Sequence, residues 1–383
     1  MLTAEQLQWL KDRLDFGSLG EMLDAAREKF PSTDIVPTLL MAGRTGAGKS
    51  SLLNALAGQH VSPVGVIPTT QKPTPHELEG GGIPLRVLDM PGVGEAGRHG
   101  ERMDTVLAQA DTAHLLLLAV PCPERNLEYE KTLLLEVARH FTHTALPVLA
   151  AGTKVDCAAP ARDWQPASLN LTTPSTEKER NIVDWLAYAT SVLPGVGELA
   201  PCASGEAHDD SANQYGITAL RQRIYDLLPE AARTYFARAT RDWALLDNRA
   251  ESIVRTFSAM AAAAAAQPVP SVPDAALIMP VQVAMLMRLT TLHGRELTAD
   301  LAAKLIGPLA ARVAGRFAFE QLLKIIPGIG SLAGAAVAGG MTYALGMGYH
   351  TVLHDGHWNF DPETLKDEAL RWWKKLKDMP TQL

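Results

Sequence analysis

Gly43-Arg44-Thr45-Gly46-Ala47-Gly48-Lys49-Ser50 has the residue types and spacing of a phosphate-binding loop, G-x-x-x-x-G-K-[ST]. Backbone N–H groups of such a glycine-rich turn, together with the dipole of the helix it opens, cradle a di- or triphosphate. Residues Arg44 to Ser51 would line the phosphates, Lys49 would neutralise the terminal ones, and the Ser50 hydroxyl would ligate Mg²⁺. The chemistry requires a strand before the loop and a helix after it. Val36–Ala42 is apolar and short enough for a buried strand, and Ser51–Ala57 carries apolar residues at helical spacing with no breaker before Gly58.

Four further signals follow in order. Pro68-Thr69-Thr70 lies in a polar loop, where Thr70 is placed to contact Mg²⁺ only while a γ-phosphate is present. Asp89-Met90-Pro91-Gly92 closes the apolar run Leu85–Leu88, so that Asp89 would hold a metal-bound water and the Gly92 N–H would reach the γ-phosphate. Thr153-Lys154-Val155-Asp156 follows the apolar run Pro147–Gly152. A carboxylate at Asp156 can pair with N1–H and the 2-amino group of guanine. Adenine lacks both donors and would leave the carboxylate unpaired, a penalty of roughly 10⁴–10⁵ in discrimination. The aliphatic stem of Lys154 can cover the base face. Last, Cys202-Ala203-Ser204 can offer a backbone N–H to the guanine O6.

Standing here as GRTGAGKSS, PTT, DMPG, TKVD and CAS, these elements resemble the five signatures of the translation-factor-related GTPases, and most closely the Era/TrmE/septin-like branch, which includes immunity-related GTPases. The resemblance implies a P-loop G domain, an α/β fold with a doubly wound, mostly parallel sheet. It also implies Mg²⁺ as cofactor with GTP or GDP bound, and hydrolysis of GTP to GDP and phosphate with Lys49, Thr70 and Gly92 at the reacting end. The metal would be held by Ser50, Thr70 and Asp89, and the nucleotide by the phosphate loop with Thr153, Lys154, Asp156, Ala203 and Ser204. Three departures matter. Thr153 stands where many relatives have Asn, which predicts a weaker tie between base loop and phosphate loop. Gly46 stands where potassium-activated relatives carry Asn. Val93 stands where Ras-like enzymes place a water-orienting Gln, and valine moves no proton. Intrinsic hydrolysis is therefore expected to be slow, about 10⁻⁴ s⁻¹ or below. The missing group would come from Glu95, Arg98, His99 or Arg102, from Arg44 acting across a dimer as an arginine finger, or from a partner.

Strand and helix signals alternate from about Asp34 to Glu230, with strands expected at Val36–Ala42, Pro75–Glu79, Leu85–Asp89, Ala113–Val120, Pro147–Gly152 and Leu199–Ala203. Helices are expected after Ser50, Arg102, Tyr129, Thr176 and Ile217, and 158–173 reads as a surface insertion. A helical segment at 1–33 precedes this domain, and from 231 to 383 the chain becomes Ala- and Leu-rich and wholly helical. Residues 231–267 are expected as one long helix, followed by helices at Asp274–His293 (kinked or interrupted at Pro280), Leu297–Ile306, Leu309–Ile325 and Glu363–Asp378. With its PGIGSLAGAAVAGG segment, this half resembles a helical domain attached to bacterial Era-like GTPases.

At 383 residues, 47% hydrophobic and 20% charged, the chain has the composition of a globular protein of two or three domains. A net charge of −7 argues against broad nucleic-acid binding. Three scattered cysteines indicate neither a disulfide framework nor a zinc knuckle, and the amphipathic start is unlike a signal peptide, so a cytoplasmic location is expected. The uncharged stretch Ile325–Tyr349 would be about 37 Å long as one helix, enough to cross a core of about 30 Å, but it is rich in Gly and Ala. Packed soluble helices, a membrane hairpin at the inner face and a partner groove are all open for it. The same choice between membrane surface and protein core is open for the last helix, with its Trp and Lys faces. His350, His354, Asp355 and His357 form a conceivable metal cluster. Three functions fit: a nucleotide switch controlling the helical domain, a dynamin-like GTPase that dimerises through its G domain and works on membranes, and a binding module locked with GTP.

Overall fold

The computed structural model describes residues 34–58, 110–141, 146–205, 211–240, 242–266, 274–295, 333–355 and 362–378, with the strands at 74–79 and 84–89. At 74–79, 84–89, 274–277, 333–334, 362–363 and 377–378 only the backbone is described. The chain divides into one compact unit, Asp34–Leu245, and a second that contains everything after Leu245.

The first unit is a six-stranded sheet flanked by helices. In chain order its elements are β1 (Thr38–Ala42), α1 (Lys49–Ala57), β2 (Thr74–Glu79), β3 (Pro84–Asp89), β4 (Leu115–Pro121), α2 (Glu128–His140), β5 (Val148–Thr153), α3 (Glu177–Val192), β6 (Ala200–Pro201), α4 (Ile217–Leu227) and α5 (Glu230–Thr240). The strand order is β2-β3-β1-β4-β5-β6, with β2 antiparallel to β3 and every other pair parallel. β1 and β4 are buried along their whole length, as a parallel sheet covered on both faces requires, and so they read as unbroken apolar runs. Each of the six expected strands is found, with no end displaced by more than two residues. From β1 the chain builds first toward β3 and then, through β4, to the other side. This reversal opens a crevice at the carboxyl ends of the strands, where ligands of such sheets bind.

The long helix expected over 231–267 is two helices, α5 and α6 (Trp243–Ala265). Asp242 starts the second by accepting the N–H groups of Ala244 at 3.1 Å and Leu245 at 3.3 Å, an N-cap that alanine propensity does not reveal. α5 stays with the sheet: the Ile35 N–H donates to Ala231 O at 2.8 Å and the Thr234 hydroxyl to Asp34 at 3.1 Å.

In the second unit α7 (Asp274–Leu292) runs through Pro280 without interruption, and α8 (Ala333–His354) packs on α7 and on α9 (Pro362–Asp378). Glycines set how closely they approach. A methyl group on Gly340 would lie 2.8 Å from Trp373, and one on Gly348 only 2.7 Å from the Ala369 backbone nitrogen. The apolar side of α9 therefore faces protein: Leu365 is buried, and the Trp372 N–H donates to the Thr351 hydroxyl at 3.0 Å. Among the described residues no helix is long and apolar enough to cross a membrane; of the stretch 325–349, residues 325–332 lie outside the description. His350 is engaged in hydrogen bonds on both ring nitrogens. Its Nε2 bonds Asp247 at 2.9 Å and its Nδ1 bonds His293 at 2.9 Å, and no group of metal ligands occurs among the described residues. The helices expected at 297–306 and 309–325, His357 and, apart from Glu28, the helical segment expected at 1–33 lie outside the described residues.

Candidate functional site

The parallel register brings the motifs to one edge. Met41 of β1 is opposite Asp89 of β3, Pro121 of β4 is opposite Thr153 of β5, and Gly152 is opposite Pro201 of β6. The phosphate loop, Asp89, the TKVD loop and the CAS loop thus all leave the sheet on the crevice side. Of Asp89 only the backbone is described; Thr70, Gly92, Val93, Glu95, Arg98, His99 and Arg102 lie outside the described residues.

The phosphate loop turns from β1 to α1 through Gly43 and Gly48, at φ 149° and 87°. A side chain at Gly43 would meet Ala119 O at 2.6 Å, so only glycine lets the loop leave β1 against β4. The Lys49 ammonium is buried and donates to Gly43 O at 3.0 Å and Arg44 O at 3.1 Å, across the mouth of the turn. Thr45, Ala47, Gly48, Ser50 and Ser51 complete the loop and the first turn of α1.

Thr153 does not loosen the link to this loop. Its hydroxyl donates to Ala47 O at 2.6 Å, with Val120 O at 3.3 Å, so the shorter side chain makes the tie expected of asparagine. Lys154 takes a left-handed backbone, φ 59°, and its stem runs along Gly48: a methyl group there would lie 3.6 Å from Cε. Asp156 follows in a single 3₁₀ turn and is half-buried. Base loop and phosphate loop are therefore one bonded assembly.

The Ala203 amide is used within the fold. It donates to Tyr215 O at 3.0 Å, and Ala203 O accepts from the Tyr215 N–H at 3.0 Å. An O6 contact from this loop would thus fall to an amide beyond Ala203, which makes Ser204 the better placed of the two residues. Arg44, a candidate finger from sequence, is turned inward. Its Nε and Nη2 donate to the two oxygens of Glu130 at 2.9 and 2.8 Å, Nη2 also donates to Asn126 O, and Nη1 lies 3.3 Å from Glu124. The Glu130 side chain is fully buried, and its bonds to Arg44 raise the guanidinium pKa further.

Glu130 escaped sequence reasoning because a glutamate on a helix reads as a solvated face. So did Lys178, whose ammonium donates to Asp156 O, Ala158 O and Pro160 O at 2.8, 2.7 and 3.2 Å. Its one signal was a cation in the first turn of a helix, against the dipole. Glu179 could have been found, because Thr176-x-x-Glu179 is a capping box in form and in fact: Thr176 accepts the Glu179 N–H at 3.2 Å and Glu179 accepts the Thr176 N–H at 2.8 Å. All three cysteines adjoin this region as free thiols, Cys122 and Cys202 buried and Cys157 exposed.

Fold and site together define a P-loop G domain. Residues 38–153 match the family described as 50S ribosome-binding GTPase, and this part of the chain is an Era/TrmE-like G domain. The tRNA modification GTPase MnmE of Nitrosomonas europaea is 33% identical over 162 residues, which are 41% of this chain and 33% of that one. Protein YfjP of Escherichia coli K12 is 33% identical over 203 residues, 52% of this chain and 65% of its own. The chain thus spans between about a third and two thirds of the length of these relatives. Among solved structures, Era in complex with MgGDPNP and a segment of 16S ribosomal RNA aligns at TM-score 0.37 and 18% identity over 59% of this chain and 68% of its own. Toc33 of Arabidopsis thaliana with Mg²⁺ and GMPPNP aligns at TM-score 0.37 and 16% identity over 62% and 97%.

Proposed function

We propose that this protein binds GTP with Mg²⁺, hydrolyses it slowly to GDP and phosphate, and uses the nucleotide state to set the arrangement of its helical unit. The observation that carries the nucleotide reading is the Thr153–Ala47 bond, which holds a carboxylate suited to guanine at a fixed place beside a loop suited to phosphate. In this reading Asp156 accepts N1–H and the 2-amino group, the Lys154 stem covers the base, and Ser204 donates toward O6. Loop amides and Lys49 neutralise the β- and γ-phosphates. Ser50, Thr70 and Asp89 would hold Mg²⁺. They are hard oxygen donors, and the register of Asp89 with Met41 sets its backbone beside the phosphate loop. The ion, when bound, offsets charge on the phosphates.

Water attacks the γ-phosphorus in line with the departing β-oxygen, and Val93 cannot orient it. Arg44 is a positioning residue in this scheme. To act as a finger it would have to abandon Glu130, leaving a buried carboxylate without its cation. The completing group therefore comes from the 95–102 segment or from a partner, and unaided turnover stays near 10⁻⁴ s⁻¹. The switch reading is supported by Arg221, which donates to Leu56 O at 3.0 Å and Ala55 O at 2.8 Å at the end of α1. It also lies 3.7 Å from Asp242, the cap of α6, along which the chain leaves the first unit.

The test is turnover of GTP against ATP over a range of protein concentrations, with and without liposomes. Selectivity for GTP is expected, and equal turnover of ATP would remove the role of Asp156. A sharper form uses Asp156→Asn. Xanthine carries an oxygen where guanine has its 2-amino group, so the amide donor should move preference from GTP to XTP while GTP affinity falls about 100-fold or more.

A further inference from the structure

Lys178 is the second residue of α3, where the helix dipole disfavours a cation, yet it is only 2% exposed. A buried ammonium is costly unless its hydrogen bonds are made. Here all three of its donors are used, on Asp156 O, Ala158 O and Pro160 O. These carbonyls belong to one short stretch, the loop that begins with the proposed base-reading carboxylate. The same α3 anchors that loop again through Asn181, whose amide donates to Ala159 O at 2.9 Å.

The ammonium is also covered from outside. The Trp164 ring lies with its centroid 5.5 Å from Nζ, and its N–H donates to Asn213 O at 3.1 Å. Trp164 meets Tyr215 edge-on at 6.3 Å, and Tyr215 is the residue that pairs with Ala203. Base loop and insertion thus meet at a single cation, and the CAS loop is reached from it through Trp164 and Tyr215.

We infer that Lys178 is a positioning residue for guanine recognition: it fixes the backbone of Asp156 before the base arrives, and Trp164 extends the same restraint to the Ala203-Ser204 loop. The inference rests on the guanine reading above and adds how selectivity is maintained. A carboxylate held in place loses little freedom on binding, so its second hydrogen bond counts fully toward affinity. Inosine nucleotides keep N1–H and lack the 2-amino group, so the ratio of GDP to IDP affinity reports that bond directly.

The experiment measures GDP and IDP affinity and GDP release on the full-length chain, wild type and Lys178→Met, with circular dichroism to monitor folding. The expected result is release about 10- to 100-fold faster, with the GDP:IDP ratio falling toward one. A folded Lys178→Met with wild-type ratio and release overturns the inference. Should that variant not fold, Trp164→Leu at its half-exposed site decides: a lowered ratio supports the inference and an unchanged one overturns it. A wild-type protein that binds ADP as tightly as GDP instead removes the guanine reading itself, a distinct outcome visible before any variant is made.

Discussion

The guanidinium of Arg44 is engaged on three sides, and one of its partners, Glu130, has no exposed surface. Removing one member of such a pair leaves the other charged and desolvated. Arg44→Ala should therefore lower stability by about 3 kcal/mol, read as a shift in the urea midpoint. Its turnover per folded molecule should fall far less than the 10³–10⁵ that loss of an arginine finger costs. A stable variant with collapsed turnover would reverse the assignment. At this scale the sequence was informative where residues lie close along the chain. Gly43 through Ser50 carry their own explanation, because loop, strand end and helix start are contiguous. Glu130 is 86 residues from Arg44, and nothing local marks a helical glutamate as buried. Thr153 was legible as a departure from asparagine, but whether its hydroxyl reached Ala47 depended on how closely the two loops approach.

Whole elements were legible where burial leaves a clean pattern. The apolar runs of β1, β4 and β5 fixed the sheet, whereas the break between α5 and α6 was hidden because helix propensity is high on both sides of it. Among the described residues only Asp242 interrupts, through its side chain. The 158–173 insertion read as surface and largely is exposed, but its far end and the turn after it are organised by Glu179, which accepts from Asn170 N, Ser175 N, Ser175 Oγ and Thr176 N. These bonds hold the Glu179 carboxyl down at about 2, against an ordinary 4.5. A depressed folded value means stability present above the ordinary pKa and lost as pH falls toward 2. Amide exchange in 170–176 should accelerate across that window, and Glu179→Gln should flatten the dependence. In the helical unit, Gly348→Ala places a methyl 2.7 Å from the backbone of Ala369, which cannot turn away as a side chain can. Loss of about 1–3 kcal/mol is expected, with a red shift of tryptophan emission as Trp372 and Trp373 gain water.

Two units with separate cores should melt separately. Calorimetry is expected to show two transitions, of which Mg²⁺ and GDP raise only the one belonging to Asp34–Leu245. At 100 times the dissociation constant the shift corresponds to about 2.7 kcal/mol. One transition raised as a whole would mean that α6 joins the units into a single cooperative body. The division itself falls between Leu245 and Leu246, inside a helix, where no change of composition marks it. Strand signals end near residue 230, but α5 is tied back to the sheet through Asp34 and Ile35, contacts that only the folded chain brings together.

The three sulfur atoms offer a practical handle. Burial pushes the Cys122 and Cys202 thiols up to about 12, whereas Cys157 is exposed, with its thiol 3.7 Å from the Asp156 carboxylate. Burial and the neighbouring charge raise its pKa too, so alkylation will be slow at neutral pH, but it will be selective. A maleimide fluorophore added to the unaltered chain should therefore attach at one address, one residue from Asp156, the carboxylate proposed to read the base. From there its brightness would report arrival and departure of nucleotide in real time, with no engineered cysteine.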